Sequence, residues 1–165
     1  MQQQLILITG TPSIGKTETA DTLFKMLNNS AHLDGDWLWN VNPFSLDDPR
    51  LRNGDRSMSF ALATYLKSAF DYVIFSSCIL VDEDIRRNII ADIGHSGFAT
   101  IGFWLVCSPE TLKNRHYGQG STFEPAYDWL DLAPQSNDVV IDTDDKSIEE
   151  VSKEIYGFIM ENQTR

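Results

Sequence analysis

Residues 10–17 carry the most specific chemistry in this chain. They read Gly10-Thr11-Pro12-Ser13-Ile14-Gly15-Lys16-Thr17, which is the phosphate-binding pattern G-x-x-x-x-G-K-T. The glycines let the backbone curl until successive N–H groups point inward at phosphate oxygens, and the lysine adds a positive charge. The threonine hydroxyl is placed to hold a magnesium ion that bridges the phosphates. The spacing therefore predicts a site for Mg-ATP or Mg-GTP.

An acidic pair, Asp34 and Asp36, follows a short apolar run. We place it at the carboxyl end of the second strand, where ligands bind in open α/β sheets. On an extended segment, the two carboxylates would project from one face about 7 Å apart. Asp34 would then orient the magnesium hydration shell, and Asp36 would accept the proton of a substrate hydroxyl.

Both acidic residues also allow a purely structural interpretation. Asp36 could cap a helix that begins at Trp37, and Asp34-Gly35 is a common turn pair. The catalytic interpretation of Asp34 depends on the second strand lying alongside the phosphate loop.

Aromatic residues near the acidic pair are candidates for contacting the phosphoryl acceptor. Aromatic rings with a few polar groups suit a flat or ring-containing substrate, and an arginine could bind its carboxylate or phosphate. In a Trp-x-Trp pair, the rings point to opposite sides of a strand and lie about 200° apart on a helix, so at most one is expected to face the pocket. Nearby aspartates also allow local ion pairs for the arginines. The candidate residues are Trp37, Trp39, Phe44 and Arg52.

Strands that alternate with helices must position these residues, which is typical of a parallel sheet covered on both faces. The expected architecture is a three-layer α/β sandwich with a five-stranded parallel sheet, in a single domain of residues 1–165. The predicted strands are Leu5–Thr9, Ala31–Leu33, Tyr72–Ser76, Thr100–Val106 and Val139–Ile141.

Helix signals are clear along the same chain. Apolar residues at helical spacing predict a helix that begins near Gly15 and another from about Arg56 to Phe70. Capping residues predict the starts of three more. These are Asp82 for a helix through Ile93, Ser108 with Pro109 following it, and the capping box of Ser147 and Glu150.

Composition narrows the function. The chain has 165 residues, with 24 acidic and 13 basic side chains and a formal charge of −11. Such an acidic surface repels a phosphate backbone, so we expect small-molecule partners and no nucleic acid. The N-terminus has no signal-peptide or membrane-span pattern, so we expect a cytoplasmic protein and no membrane partner. Cys78 and Cys107 have no metal-ligand spacing and are expected to be reduced, buried packing residues.

The chain as a whole resembles the small P-loop kinases of metabolites and antibiotics, a family that includes shikimate kinase, gluconate kinase and chloramphenicol phosphotransferase. The phosphate loop, residues 33–36, residues 107–115 and residues 141–144 carry the resemblance. Residues 34–44 resemble still more closely a bacterial branch of nucleotide-kinase-like proteins. The resemblance implies a P-loop NTPase-type fold, with ATP and Mg²⁺ as cofactors.

Roles for individual residues follow from this resemblance. It implies that Lys16 and Thr17 hold phosphates and metal, that Asp34 supports the metal and that Asp36 engages the acceptor hydroxyl. Arg115 would pack against the adenine or reach the phosphates. An alternative for Arg115 is a cation near a helix C-terminus that points into water.

The resemblance also places Asp142, Thr143 and Asp144 beside the adenine ring. Residues 117–137 would form a lid insertion before the last strand. This segment could close over the nucleotide, or it could be an ordered surface loop whose Phe123, Tyr127 and Trp129 pack down.

Two features depart from the family pattern. Residues 117–137 contain no Arg or Lys, although related kinases carry a lid arginine that neutralises the transferring phosphoryl group. The third strand has its acid, Asp71, at the end away from the nucleotide, and Ser76-Ser77-Cys78 stands at the near end. Those hydroxyls could bind a metal-bound water or the substrate, or hydrogen-bond to the backbone.

The favoured function is ATP-dependent transfer of the γ-phosphoryl group to a hydroxyl of a small metabolite or antibiotic, by a monomer or weak homodimer. A nucleoside or nucleotide kinase is the second hypothesis. A nucleotide-binding module with little phosphotransfer is the third, because the lid lacks arginine.

Overall fold

The computed structural model describes residues 2–43 and 48–163. Five strands form one parallel sheet in the order β2-β3-β1-β4-β5. The strands are β1 Gln3–Thr9, β2 Ser30–Asp34, β3 Tyr72–Ser76, β4 Phe98–Val106 and β5 Val139–Asp142. The helices are α1 Lys16–Met26, α2 Arg52–Lys67, α3 Glu83–Asp92, α4 Pro109–Gly118 and α5 Ile148–Gln163. The predicted α/β architecture with five parallel strands is confirmed.

Helices cover both faces of the sheet, because β1 is apolar on both sides. Leu5 and Leu7 pack into a core with α2 and α3, whereas Ile6 and Ile8 pack into a second core with α1 and α5. A strand that is buried on both faces reads as a continuous apolar run, as β1 does. The three layers predicted from the sequence are present.

The predicted helix starts agree with the structure, with one shift. Asp82 accepts a hydrogen bond from Ile85 N at the start of α3, and Ser108 accepts one from Thr111 N at the start of α4. Helix α2 begins and ends earlier than predicted, at Arg52 and Lys67 instead of about Arg56 and Phe70. The helices within residues 2–43 and 48–163 are all too short or too polar to cross a membrane.

The second strand is not a neighbour of the first in the sheet, but its end does lie beside the phosphate loop as expected, because the Thr17 hydroxyl donates to Asp34. Strand β3 lies between β1 and β2, so the first two strands of the chain are not neighbours in the sheet. The register still aligns the strand ends, because Ile8 and Asp34 are each level with Ser76. The carboxyl end of β2 therefore faces the start of α1, which brings it to the same edge as the phosphate loop.

Candidate functional site

The phosphate loop connects β1 to α1 in a tight turn that only glycine permits at its ends. Gly10 has a φ of 143° and Gly15 a φ of 103°. A Cβ at Gly10 would lie 2.7 Å from the carbonyl oxygen of Leu105, so no side chain fits between the loop and β4. Gly15 ends the loop just before α1, whose first amide N–H groups have no acceptor within the helix. The turn thus directs backbone donors at one point, as an anion-binding site requires.

Lys16 places a buried positive charge at this turn. The residue is 9% exposed, and its Nζ donates to the Thr11 carbonyl oxygen at 2.9 Å. That is its only hydrogen bond to the described residues, and an ammonium group has three protons to donate. Burial lowers the pKa of Lys16, and Cys78, Asp36 and Asp34 oppose this shift. A buried cation with unused donors fits an anionic ligand such as a phosphate.

Asp34 lies at the end of β2 and connects three parts of the site. Its Oδ2 accepts a hydrogen bond from the Thr17 hydroxyl at 2.6 Å, and its Oδ1 accepts one from the Asp36 amide at 2.9 Å. The second bond caps the short 3₁₀ helix Gly35–Leu38. Asp34, and not Asp36, therefore caps the helical turn. The alternative in which Asp34 is a turn residue is correct, and Asp34 contacts Thr17 as well.

The chain leaves its extended conformation after Asp34, so the two carboxylates do not project from one face of a strand as predicted. Asp36 lies inside the 3₁₀ helix. Its pKa is raised by burial and then by the negative charge of Asp34, with Lys16 opposing both. Even so, both carboxylates line the same cleft as Lys16.

A hydrogen-bonded chain behind Asp34 was missed in the sequence analysis. Ser76 Oγ lies 3.2 Å from Asp34 Oδ2 and 2.9 Å from His32 Nε2, and His32 Nδ1 lies 3.0 Å from Asp21 Oδ1. Burial lowers the pKa of His32, with Asp21 opposing it. The available signal was that residues 32 and 34 share one face of β2. The Ser76 hydroxyl thus supports the carboxylate of Asp34.

The cleft around the phosphate loop has a volume of about 300 Å³. Ser76, Ser77 and Cys78 all line it, which confirms that these residues stand at the near end of β3, whereas Asp71 binds Asn29 at the far end. Within the described residues, no group of three or more His, Cys, Asp or Glu could hold a metal alone. Proteins usually bind Mg²⁺ through one or two carboxylates together with substrate phosphates, and the pair of Thr17 and Asp34 fits that mode.

A larger cavity of about 900 Å³ adjoins the cleft. Trp37 and Trp39 both line it, against the expectation that at most one would, because neither a strand nor an α-helix holds them. Trp39 also packs into the core, as one ring of the pair was expected to. Trp37 is 59% exposed and Trp39 is 8% exposed. Phe44 falls outside the described residues. Three residues, Pro12, Asp36 and Cys78, line both the cavity and the cleft.

Arg52 lines the cavity from α2 but is already engaged. Its guanidinium carbon lies 5.0 Å from the centre of the Trp39 ring, and its Nη1 lies 3.4 Å from Asp55 Oδ2. Arg50 similarly pairs with Asp48 at 2.6 Å. The local ion pairs suggested by the sequence are therefore present.

Comparison with solved structures identifies the fold. The tunicamycin resistance protein of Deinococcus radiodurans superimposes with a TM-score of 0.74 at 21% identity, covering 96% of each chain. The chain has the fold of the small P-loop kinases. A gluconokinase from Sinorhizobium meliloti matches with a TM-score of 0.70 at 17% identity, over 98% of this chain and 95% of that one.

A third solved structure with this fold contains a nucleotide analogue. The Mycobacterium tuberculosis APS kinase, in complex with AMPPNP and APS, matches with a TM-score of 0.68 at 16% identity, over 96% of this chain and 98% of that one. A search of family models and a search of curated proteins find no match. The comparisons therefore define the architecture but do not identify a molecule that would accept a phosphoryl group.

In this P-loop kinase fold, Arg115 connects the phosphate loop to the turn after β5. Its guanidinium donates to the Ile14 carbonyl oxygen at 3.0 Å, to Thr143 Oγ1 at 2.8 Å and to the Thr143 carbonyl oxygen at 2.7 Å. The alternative that Arg115 points into water is wrong. Thr143 is buried and Asp142 is exposed, with Asp142 Oδ1 accepting from the Asp144 amide. Arg115 thus fixes the shape of the loop.

Replacing Arg115 by Ala is expected to loosen the phosphate loop. Hydrogen bonds from a charged donor contribute about 1.5–3 kcal/mol each and Arg115 makes three, so the free energy of unfolding should fall by about 4 kcal/mol or more and the ATP dissociation constant should rise. Urea denaturation and calorimetric titration with ATP measure the two effects. Lys113→Ala, an exposed cation on the same helix, is the matched control and should change neither. Equal behaviour of the two variants would contradict the assignment.

The lid segment contacts the phosphate loop directly. The Thr11 hydroxyl donates to the Ala126 carbonyl oxygen at 3.3 Å, and Gln119 lines the phosphate cleft. Just before the lid, His116 Nδ1 on α4 lies 2.9 Å from Ser13 Oγ. Residues 117 and 118 belong to α4 and Tyr127–Asp131 forms a 3₁₀ helix. Phe123 is 79% exposed and does not pack down as the surface-loop alternative expected, whereas Tyr127 and Trp129 are partly buried.

Proposed function

We propose that this protein is an ATP-dependent kinase that transfers the γ-phosphoryl group to a hydroxyl of a small metabolite or antibiotic. The observation that carries the proposal is the position of Asp36, which lines both the phosphate cleft and the aromatic cavity. A phosphoryl donor and an acceptor in these two spaces would meet at its carboxylate. This is where phosphoryl transfer requires a group that orients the nucleophile.

The nucleotide end of the site would use the residues around the loop. Backbone amides of residues 10–17 and Lys16 would bind the phosphates of ATP or GTP, with Thr143 and Asp142 on the base side. The Thr17 hydroxyl and Asp34, 2.6 Å apart, would hold Mg²⁺ together with the phosphates. When Mg²⁺ is bound, it would neutralise negative charge on the phosphate oxygens.

At the acceptor end, Asp36 would act as general base. It takes the proton of the acceptor hydroxyl as that oxygen bonds to the γ-phosphorus, and the bond to the β-γ bridging oxygen breaks to release ADP. A carboxylate whose pKa is raised by burial and by Asp34 holds a proton better than an ordinary aspartate does. The aromatic residues Trp37 and Trp39 would bind the acceptor body.

Few cationic side chains would be available to neutralise the charge on the transferring phosphoryl group. Residues 117–137 contain no Arg or Lys, and Arg115 donates to Ile14 and Thr143. Lys16 and the metal would then carry most of the charge neutralisation. Loss of one such arginine in other phosphoryl-transfer enzymes costs about 10³-fold or more. This observation favours slow turnover, and it supports a nucleotide-binding module with little phosphotransfer as the second candidate.

Asp36→Asn tests the proposal. We expect ATP affinity to stay nearly intact while acceptor-stimulated ADP release falls by about 10²-fold or more, because Asn cannot accept the proton. ADP release across a panel of hydroxyl compounds and calorimetric titration with ATP give the two readouts. Asp71→Asn, at the opposite end of the sheet, is the control and should retain both. Equal loss of ATP binding and turnover in Asp36→Asn would contradict the base assignment. ATP binding by the unaltered protein with no stimulation by any acceptor would favour the binding module.

A further inference from the structure

The lining of the aromatic cavity indicates which kind of acceptor it would take. Most of its surface is supplied by aromatic and aliphatic side chains, and three of the chain's four tryptophans contribute to it. These rings present flat apolar faces, which favour a substrate with a ring or a rigid apolar body. The apolar lining residues are Trp37, Trp39, Trp129, Pro12, Ile79 and Ile85.

The charges around the cavity are mainly negative. Asp36 and Asp82 both line it, and the carboxylate of Asp82 accepts only one hydrogen bond from the described residues, from Ile85 N at 2.9 Å. Arg52 is the one cation among the described lining residues. Its guanidinium is shared between the Asp55 carboxylate and the face of Trp39. The lid segment, residues 117–137, contains neither Lys nor Arg and supplies no second cation.

A phosphate or carboxylate on the acceptor would therefore meet two carboxylates and a single cation, whose guanidinium is already paired with Asp55 at 3.4 Å. Like-charge contacts in a binding site cost several kcal/mol, and an anion that loses water without a partner costs more. An ammonium group, in contrast, could pair with Asp82. The geometry points to an acceptor that is a ring-containing alcohol, neutral or cationic, and not a nucleoside monophosphate or a hydroxy acid. This inference rests on the proposed function and narrows it.

Binding of a matched ligand series tests this without any need for turnover. The series is 3-phenyl-1-propanol, phenylalaninol and 3-phenyllactate, which carry the same ring and a hydroxyl with a neutral, cationic or anionic group. Thymidine and thymidine 5′-monophosphate form a second pair. Calorimetry with the full chain, saturated with magnesium and a non-hydrolysable ATP analogue, measures affinity. We expect the two anions to bind at least about tenfold more weakly than their partners.

Two variants assign the binding to this cavity and to its charges. Trp37→Ala, at an exposed position, should weaken the neutral and cationic ligands alike. Arg52→Gln should leave the already weak anion affinity unchanged, because its guanidinium is engaged by Asp55. Anions that bind as tightly as their partners, or anion binding that falls in Arg52→Gln, would overturn the inference. So would the absence of binding by every neutral and cationic ligand. A protein that binds the series as expected but never releases ADP would retain this inference and lose the proposed kinase activity.

Discussion

Lys16→Ala is expected to abolish ATP-dependent turnover and to weaken ATP binding. The side chain supplies a buried charge at the phosphate loop, and its Nζ has only the Thr11 carbonyl oxygen as a partner in the described part of the chain. Removing one charge-stabilising group from a phosphoryl-transfer site costs about 10³-fold or more. Few other cations are available here, because the lid has none. Turnover and calorimetric ATP affinity should therefore fall together.

Lys25→Ala provides the comparison for this variant. Lys25 lies in the last turn of the same helix and is exposed, so the net charge changes equally while the loop is untouched. It should retain both ATP binding and turnover. An unchanged ATP affinity in Lys16→Ala would show that the loop does not bind the triphosphate, and both candidate functions would then fail.

Arg86→Ala is expected to lower the free energy of unfolding by about 3–5 kcal/mol. Arg86 Nη1 donates to Asp138 Oδ2 at 2.8 Å, and the two side chains are 10% and 1% exposed. Asp138 Oδ1 already has no hydrogen-bond partner among the described residues. Loss of the arginine would leave a buried carboxylate with no compensating charge. Urea denaturation measures the effect.

Arg87→Ala is the matched control at the next position. Arg87 pairs with Asp84 on the surface, where the two side chains are 65% and 76% exposed, so its loss should cost less than about 1 kcal/mol.

Gly102→Ala is a second test of the buried pair, because the added Cβ would overlap sterically with the side chains of Asp138 and Arg86. It should also destabilise the protein. Equal stability of Arg86→Ala and Arg87→Ala would contradict a structural role for the buried pair.

Much of the fold could be predicted because its signals are local. Apolar runs gave the five strands to within two residues at each end, and the capping residues Asp82 and Ser108 stand where α3 and α4 begin. Each depends on a few neighbouring residues. The sequence predicts the start of α2 a turn too late, because the polar first turn from Arg52 carries no apolar periodicity.

The candidate site was predictable in its parts but not in its connections. Spacing predicts the phosphate loop and the acidic pair, whereas the chain from Asp21 through His32 and Ser76 to Asp34 joins side chains of α1, β2 and β3, and its bonds to Ser76 span 42 and 44 residues. Similarly, nothing near Arg115 in the sequence indicates that it binds Ile14 and Thr143. Such contacts depend on strand order and register.

The sequence by itself determined the element types and the parallel α/β architecture, and it predicted the residues that would bind a triphosphate, because periodicity, capping and loop chemistry are encoded within short segments. Only the tertiary structure decided that β3 separates β1 from β2, that Asp34 contacts Thr17 and caps the next turn, and that two tryptophans share one cavity. The physical reason is that strand order and side-chain direction are set by the packing of the two cores on either side of the sheet, which no local segment specifies.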